Sequence, residues 1–271
     1  MPTPHELPRP LRHAVDQTIA AERLEGWRPT DQQVGDLVAL VCDEVSFGRY
    51  LAAYRELYPS DEAPRRDSPQ IFRRRRPYLW PGTTVLRNKF GVTNQNALSD
   101  LEFVASAGRM VTWHRRLVEH AVGGNEVDVR AIHQHLFSDV YRWAGKYRVT
   151  ELRRGDSVFV WQSSIGRLMA LLEESARALA ANGSGLDAPG LAYRLARLYA
   201  DYNHIHPFRE GNGRAGALLL HTVAALCGRR LDFTEVSREE WYAASGDSMP
   251  FRRDGRPNHR PFLPLFAAML R

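Results

Sequence analysis

His206-Pro207-Phe208-Arg209-Glu210-Gly211-Asn212-Gly213-Arg214 places a proton acceptor, an acid, two glycines, an amide and a guanidinium within nine consecutive residues. An apolar run of helical composition, residues 215–227, follows directly. The order reads as a loop entering the N-terminus of a helix. Such a terminus offers unpaired backbone N–H groups and positive dipole charge, and so binds phosphate. Gly211 and Gly213 let the backbone approach a ligand and adopt positive φ. Arg214 carries a fork suited to phosphate oxygens. Glu210, an acid beside an anion site, makes sense as the holder of a divalent cation, since Mg²⁺ is bound by one or two carboxylates together with substrate phosphates. His206 titrates near neutrality and suits general-base work. The chemistry implied is phosphoryl or nucleotidyl transfer to a hydroxyl.

Around this stretch the chain is ordinary. It has 271 residues, 44% hydrophobic and 25% charged, a composition that fits one sizeable core plus an additional segment. The start, Met1-Pro2-Thr3-Pro4-His5-Glu6, is polar and lacks the apolar stretch of a secretory signal. Residues 215–227 are interrupted by His221 and too short to span a bilayer. Cys42 and Cys227 are distant and without partners at metal spacing, which fits a reducing, cytoplasmic setting. All but two of the 37 basic residues are arginine, the exceptions being Lys89 and Lys146. The formal charge of +6 therefore reflects a compositional skew, and no nucleic-acid-binding motif accompanies it.

Three segments are expected. Residues 1–58 read as a small helical unit. Leu11, Val15, Ile19 and Leu24 line a first helix, Thr30-Asp31 caps a second bearing Val34, Leu37, Val38 and Val41, and a third carries Phe47, Tyr50, Leu51, Tyr54 and Leu57. Residues 59–76, polar and proline-rich and ending in the Arg73–Arg76 run, read as a linker. Residues 77–271 are predicted to be mainly helical. Two short β-prone runs, 147–152 and 157–161, flank Gly155-Asp156 and predict a hairpin.

The pattern His-x-Phe-x-Glu-Gly-Asn-Gly-Arg resembles the signature of the Fic family, His-x-Phe-x-(Asp/Glu)-Gly-Asn-Gly-Arg-x-x-Arg. The likeness extends to residues 78–91, which open Tyr78-Leu79-Trp80-Pro81-Gly82, and to residues 132–145, which close Trp143-Ala144-Gly145. It covers about residues 77–250. The resemblance implies a mainly α fold: a helical bundle with a small β-hairpin flap over the site, and beyond it a C-terminal helical extension. It implies that His206 deprotonates a Ser, Thr or Tyr hydroxyl of a target protein. That oxygen then attacks the α-phosphate of ATP and takes up AMP. It further implies that Glu210 holds Mg²⁺, that Gly211, Asn212 and Gly213 form the anion hole with Asn212 on the α-phosphate, that Arg214 grips the β-phosphate, and that Phe208 anchors the loop. In the flap, Phe159 is a candidate clamp on the target side chain. Toxins of this kind modify type II topoisomerase B subunits, a target that enters by analogy alone. Neither a membrane nor direct nucleic-acid binding is implied.

Residues 1–58 are similar to antitoxins of the VbhA type, which inhibit Fic domains through a helix carrying (Ser/Thr)-x-x-x-Glu-(Gly/Asn). Ala21-Glu22-Arg23-Leu24-Glu25-Gly26 fits that pattern except at its first residue, and implies autoinhibition through Glu25 and Gly26. The chain departs from the family at two positions that share one contact. Ala21 replaces the Ser/Thr, and Ala217 replaces the second arginine, the expected partner of Glu25 and of a γ-phosphate. Ala217 keeps two other readings in play: a Fic-fold enzyme with another nucleotide or phosphate-containing donor, or a catalytically impaired binding module.

Overall fold

The computed structural model describes residues 6–60, 77–155 and 157–271. Most of the predicted linker, with Arg73–Arg76, lies outside the described residues, as does Asp156 of the predicted turn.

The chain opens with α1 (Arg9–Leu24), α2 (Asp31–Val41) and α3 (Phe47–Glu56). Prolines at the start of α1 cost nothing there, because the first N–H groups of a helix have no intrahelical partner. The helix ends in a Schellman arrangement. Gly26 takes φ 104°, its N–H donates to Arg23 O at 2.9 Å, and the Trp27 N–H donates to Glu22 O at 3.0 Å. Buried Trp27 then stacks on Phe103, which fixes the direction in which Glu25, the last residue before Gly26, projects. Thr30 caps α2 in a capping box with Gln33, as the sequence predicts. Leu57 departs from expectation. It follows the end of α3 and is 68% exposed, so it is no part of the buried face.

The body of the molecule is α4 (Gln95–Val118), α5 (Val129–Phe137), α6 (Ile165–Asn182), α7 (Ala188–Ile205) and α8 (Asn212–Leu226), followed by α9 (Arg238–Asp247) and α10 (Leu263–Met269). Nearly every residue of α8 before Ala225 is buried, so this helix is covered on all sides and lies at the centre of the bundle. The long α4 packs against α1, α2, α3, α5 and α8. One apolar core runs without interruption from Val15, Ile19 and Val38 through Leu101 and Phe137 to Leu195 and Leu219. The N-terminal helices therefore share the core of the bundle. Polar contacts add to this attachment: Gln17 bridges Asp232 Oδ1 and the Phe233 N–H, each at 2.8 Å, and Arg238 of α9 donates to the Leu24 carbonyl at 3.1 Å, at the C-terminal end of α1.

The hairpin is shorter than the sequence predicts. Only β1 (Arg153–Arg154) and β2 (Ser157–Val158) pair, antiparallel, with Arg153 opposite Val158. The outer parts of both runs direct their backbone donors elsewhere: Arg148 N–H to Pro207 O at 2.8 Å, Val149 N–H to the Tyr78 hydroxyl at 2.9 Å, and Val160 N–H to His204 O at 3.3 Å. A donor spent on the end of α7 is not available to a strand ladder. The consequence is positional, because the flap is laced to the residues that lead into the nine-residue loop.

Candidate active site

The loop links α7 to α8 and is locked from several sides. His206 ends α7 with φ 46°, a left-handed conformation that a non-glycine residue keeps only when its surroundings enforce it. Arg148 supplies that enforcement. Its buried guanidinium donates to the carbonyls of His206 (2.9 Å), Thr150 (2.9 Å), Val160 (2.6 Å) and Ile205 (3.3 Å). One side chain thus joins both arms of the flap to the end of α7. Below the loop, Phe208 is fully buried and stacks on His133 at 3.8 Å. His133 accepts the Gly145 N–H at Nδ1, so its Nε2 carries the proton and donates to Glu210 O at 3.0 Å. Asn212 closes the turn on itself: its amide accepts from the Phe208 N–H and donates to Phe208 O, both at 2.9 Å. Gly211 has φ 79°, and a Cβ there would overlap the Phe137 ring, so that position admits only glycine.

His206, Asn212 and Gly213 line a small cavity of about 20 Å³ together with Glu25, Arg154 and Tyr242. Phe159 is buried and lies face to face on the His206 ring at 3.9 Å. Burial, with the cations of Arg154 and Arg148, pushes His206 down to about 3, below the near-neutral titration the sequence suggests, so with Glu25 in place the imidazole is neutral. Glu25 stands directly over Gly213, where any side chain at 213 would run into its carboxylate. Burial raises the Glu25 carboxyl, and the Arg214 charge opposes that rise. Glu210 accepts from the Gly211 N–H at 3.0 Å, and its side chain remains 42% exposed.

Arg214 does not face an open anion site. It is buried between the rings of Phe137 and Phe103, donates to Glu102 and to Ser106 Oγ (3.0 Å), and lies 3.9 Å from Glu210. Glu22 of α1 is part of this network. It accepts from Ser106 Oγ at 2.7 Å through Oε1, while buried Oε2 lies 4.0 Å from Arg214 and has no hydrogen-bond partner. Burial pushes Glu22 up to about 8, with Arg214 opposing. The helix predicted to act through Glu25 thus reaches the motif through two glutamates. Ala217 is 3% exposed and belongs to the apolar core, and it does not line the cavity with Glu25. On the open side the cations near Glu25 are Arg154 and Arg238.

The sequence reading missed Glu22, Ser106, Glu102, His133, Arg148 and Arg154. Glu22 had a signal: it falls three residues after Ile19 and seven after Val15, on the face that the apolar residues define.

Residues 124–224, spanning α5, the flap, the loop and most of α8, match the Fic/DOC family. The chain is 31% identical over 192 residues to the probable protein adenylyltransferase y4lH of Sinorhizobium fredii, covering 66% of this chain and 94% of that protein. The chain belongs to the Fic/DOC family. A second Fic relative, the probable protein adenylyltransferase Fic of Escherichia coli, is 29% identical over 175 residues, 63% of this chain and 83% of that protein. Among solved structures, the Bartonella tribocorum BepC protein with bound AMPPNP superposes with a TM-score of 0.57 at 24% identity, covering 72% of this chain and 96% of that one. This last likeness establishes the Fic fold, mainly helical with its small flap. Among the described residues no helix is long and apolar enough to cross a membrane.

Proposed function

We propose that this chain transfers AMP from ATP to a hydroxyl of a target protein, and that α1 restrains the reaction. The observation that carries the reading is the rigid loop. It holds a neutral His206 beside the N-terminus of α8, where Gly213 leaves room for phosphate once Glu25 withdraws. The naming of the Fic relatives as protein adenylyltransferases supports the same activity.

In this mechanism the His206 imidazole takes the proton of the target hydroxyl. The oxygen attacks the α-phosphorus, the bond to the bridging oxygen breaks, and pyrophosphate leaves with that electron pair. Backbone N–H groups at the start of α8 face the charge that builds on the phosphate, fixed in place before the reaction. The Asn212 side chain is committed to Phe208, so its part is to keep those N–H groups aimed. Glu210, half-exposed and anchored by Gly211, would hold Mg²⁺, which neutralises phosphate charge when bound. Arg148 is a positioning residue that acts through His206 and the flap. With Ala217 in the second arginine position, Arg154 is the cavity cation that remains for the distal phosphates.

Restraint by α1 has two parts. Glu25 fills the space over Gly213, and Glu22, through Ser106, helps hold Arg214 away from the β-phosphate position. Residues 1–58 are on this reading an inhibitory unit built into the same core as the enzyme.

Parallel reactions with ATP labelled at the α- or the γ-phosphate test the proposal. Label on protein from the α-position alone, absent with His206→Ala, is the expected result. Label from the γ-position would make the chain a kinase, and label from neither in any α1 variant would leave a binding module.

A further inference from the structure

Between α6 and α7 lies a groove of about 810 Å³, far larger than the cavity at the motif. Its α6 wall is one continuous helical face: Leu168, Leu171, Leu172, Ser175 and Leu179 recur at intervals of three and four. At 1.5 Å per residue the 18 residues of α6 give a trough of roughly 27 Å. Leu171 and Trp161, both on the lining, are 52% and 53% exposed. The bottom also holds a polar atom in want of a partner, since His204 is 5% exposed and its Nε2 has none.

The charge around this apolar floor is one-sided. Arg167 of α6, Arg194 and Arg197 of α7, and Arg253 and Arg256 after α9 face only Asp201 and Asp254. Arg253 is paired with Glu151 at 2.7 Å and lies over the Trp161 ring. Arg197 sits near Asp201. Among the described residues no ion pair engages Arg167, Arg194 or Arg256. One end of the trough is formed by Val160 and Trp161, immediately beyond β2 of the flap.

We propose that this groove docks an acidic amphipathic helix of the protein that receives the AMP, an inference that rests on the adenylyl-transfer reading. Two packed helices with leucines on the floor make a seat for a third helix, whose apolar stripe would read positions i, i+3, i+4 and i+7. A wall the length of α6 suits a helix of up to about five turns. The arginine rim requires acidic flanks on the occupant. Contact with the flap lets one protein bind the groove while presenting its hydroxyl to His206.

The test uses the full chain and a fluorescein-labelled 18-residue peptide with leucine at i, i+3, i+4 and i+7 and glutamate elsewhere. Saturable binding is expected, weakened about tenfold or more by Leu171→Asp, which puts a charge on the apolar floor, and by Arg194→Glu, which reverses a charge on the rim. A peptide with lysine in place of glutamate should not bind. Absence of saturation, equal binding by both variants, or equal binding of the lysine peptide would overturn the proposal. So would anionic vesicles that bind in its place, or a dimer abolished by Leu171→Asp. In a Glu25→Gly chain supplied with α-labelled ATP and a cell lysate, saturating peptide should suppress labelling of other proteins and spare self-labelling. If both persist, the groove is not the target's seat. If no label appears at all while the peptide binds, it is the adenylyl-transfer reading that fails.

Discussion

The cavity at His206 and the groove between α6 and α7 differ in what fills them. The first, about 20 Å³, is lined by the chain's own Glu25 over Gly213, while the second stands open at about 810 Å³ with Leu171, Trp161 and arginines exposed. Both border the flap, one at Arg154 and the other at Val160 and Trp161. On the proposed reading, the end assigned the chemistry is covered by Glu25, and the end assigned recognition stands open.

The largest expected effect breaks the chemistry and leaves the cavities alone. His206→Ala removes the base and should lower the rate of AMP transfer ~10²–10⁴-fold. ATP affinity, measured by calorimetry in a Glu25→Gly background, should hold. Undiminished transfer by the His206→Ala chain would remove His206 from the mechanism.

Next comes the tie between the two regions. Arg148→Met leaves the carbonyls of His206, Thr150, Val160 and Ile205 without their donor. At ~1–3 kcal/mol for each buried group left unpaired, a loss of about 3 kcal/mol or more in unfolding free energy is expected. Arg148→Lys should recover part of it. A melting curve unchanged by Arg148→Met would show that these bonds do not hold the flap to α7.

How far the sequence foretold this arrangement depends on the kind of signal. The periodic apolar faces of α1 and α2, the apolar run that forms α8, the Thr30 cap and the nine-residue motif were legible because each is written in local sequence. The extent of the hairpin was not, because Arg148, Val149 and Val160 send their donors to residues about 45 to 70 positions away. Arg148 itself carries no mark in a chain where nearly all basic residues are arginine. The roles expected of Asn212 and Arg214 treated each as free for phosphate. Their commitment to Phe208, and to Glu102 and Ser106, arises only when distant helices meet.

A smaller effect tests the contact by which α1 is proposed to restrain the site. The Glu22 carboxyl, ordinarily at 4.5, is pushed up to about 8 by burial. A group raised on folding contributes its full stabilisation below pH 4.5 and loses it as the pH rises through 8. The slope amounts to ~1.4 kcal/mol per pH unit for one group. The buried imidazoles of His114, His133, His206 and His221 act in the opposite sense, losing stability as pH falls below 6.5. The difference between the native chain and Glu22→Gln isolates the glutamate, so the native chain should lose stability relative to the variant steadily from pH 5 to 8. A difference independent of pH would mean that Glu22 is already ionised where it lies.

The central claim is that α1 holds shut a site otherwise ready to transfer AMP. Its most direct measurement is the rate of protein labelling from α-labelled ATP by the full-length chain and by its Glu25→Gly variant, at matched concentration and with melting temperatures shown to agree. Clearing the space over Gly213 is expected to raise the rate about tenfold or more, equivalent to loss of a contact worth ~1.4 kcal/mol. Equal rates, with label appearing in both, would contradict the account, because the carboxylate that fills the cavity would then be no obstacle to the nucleotide.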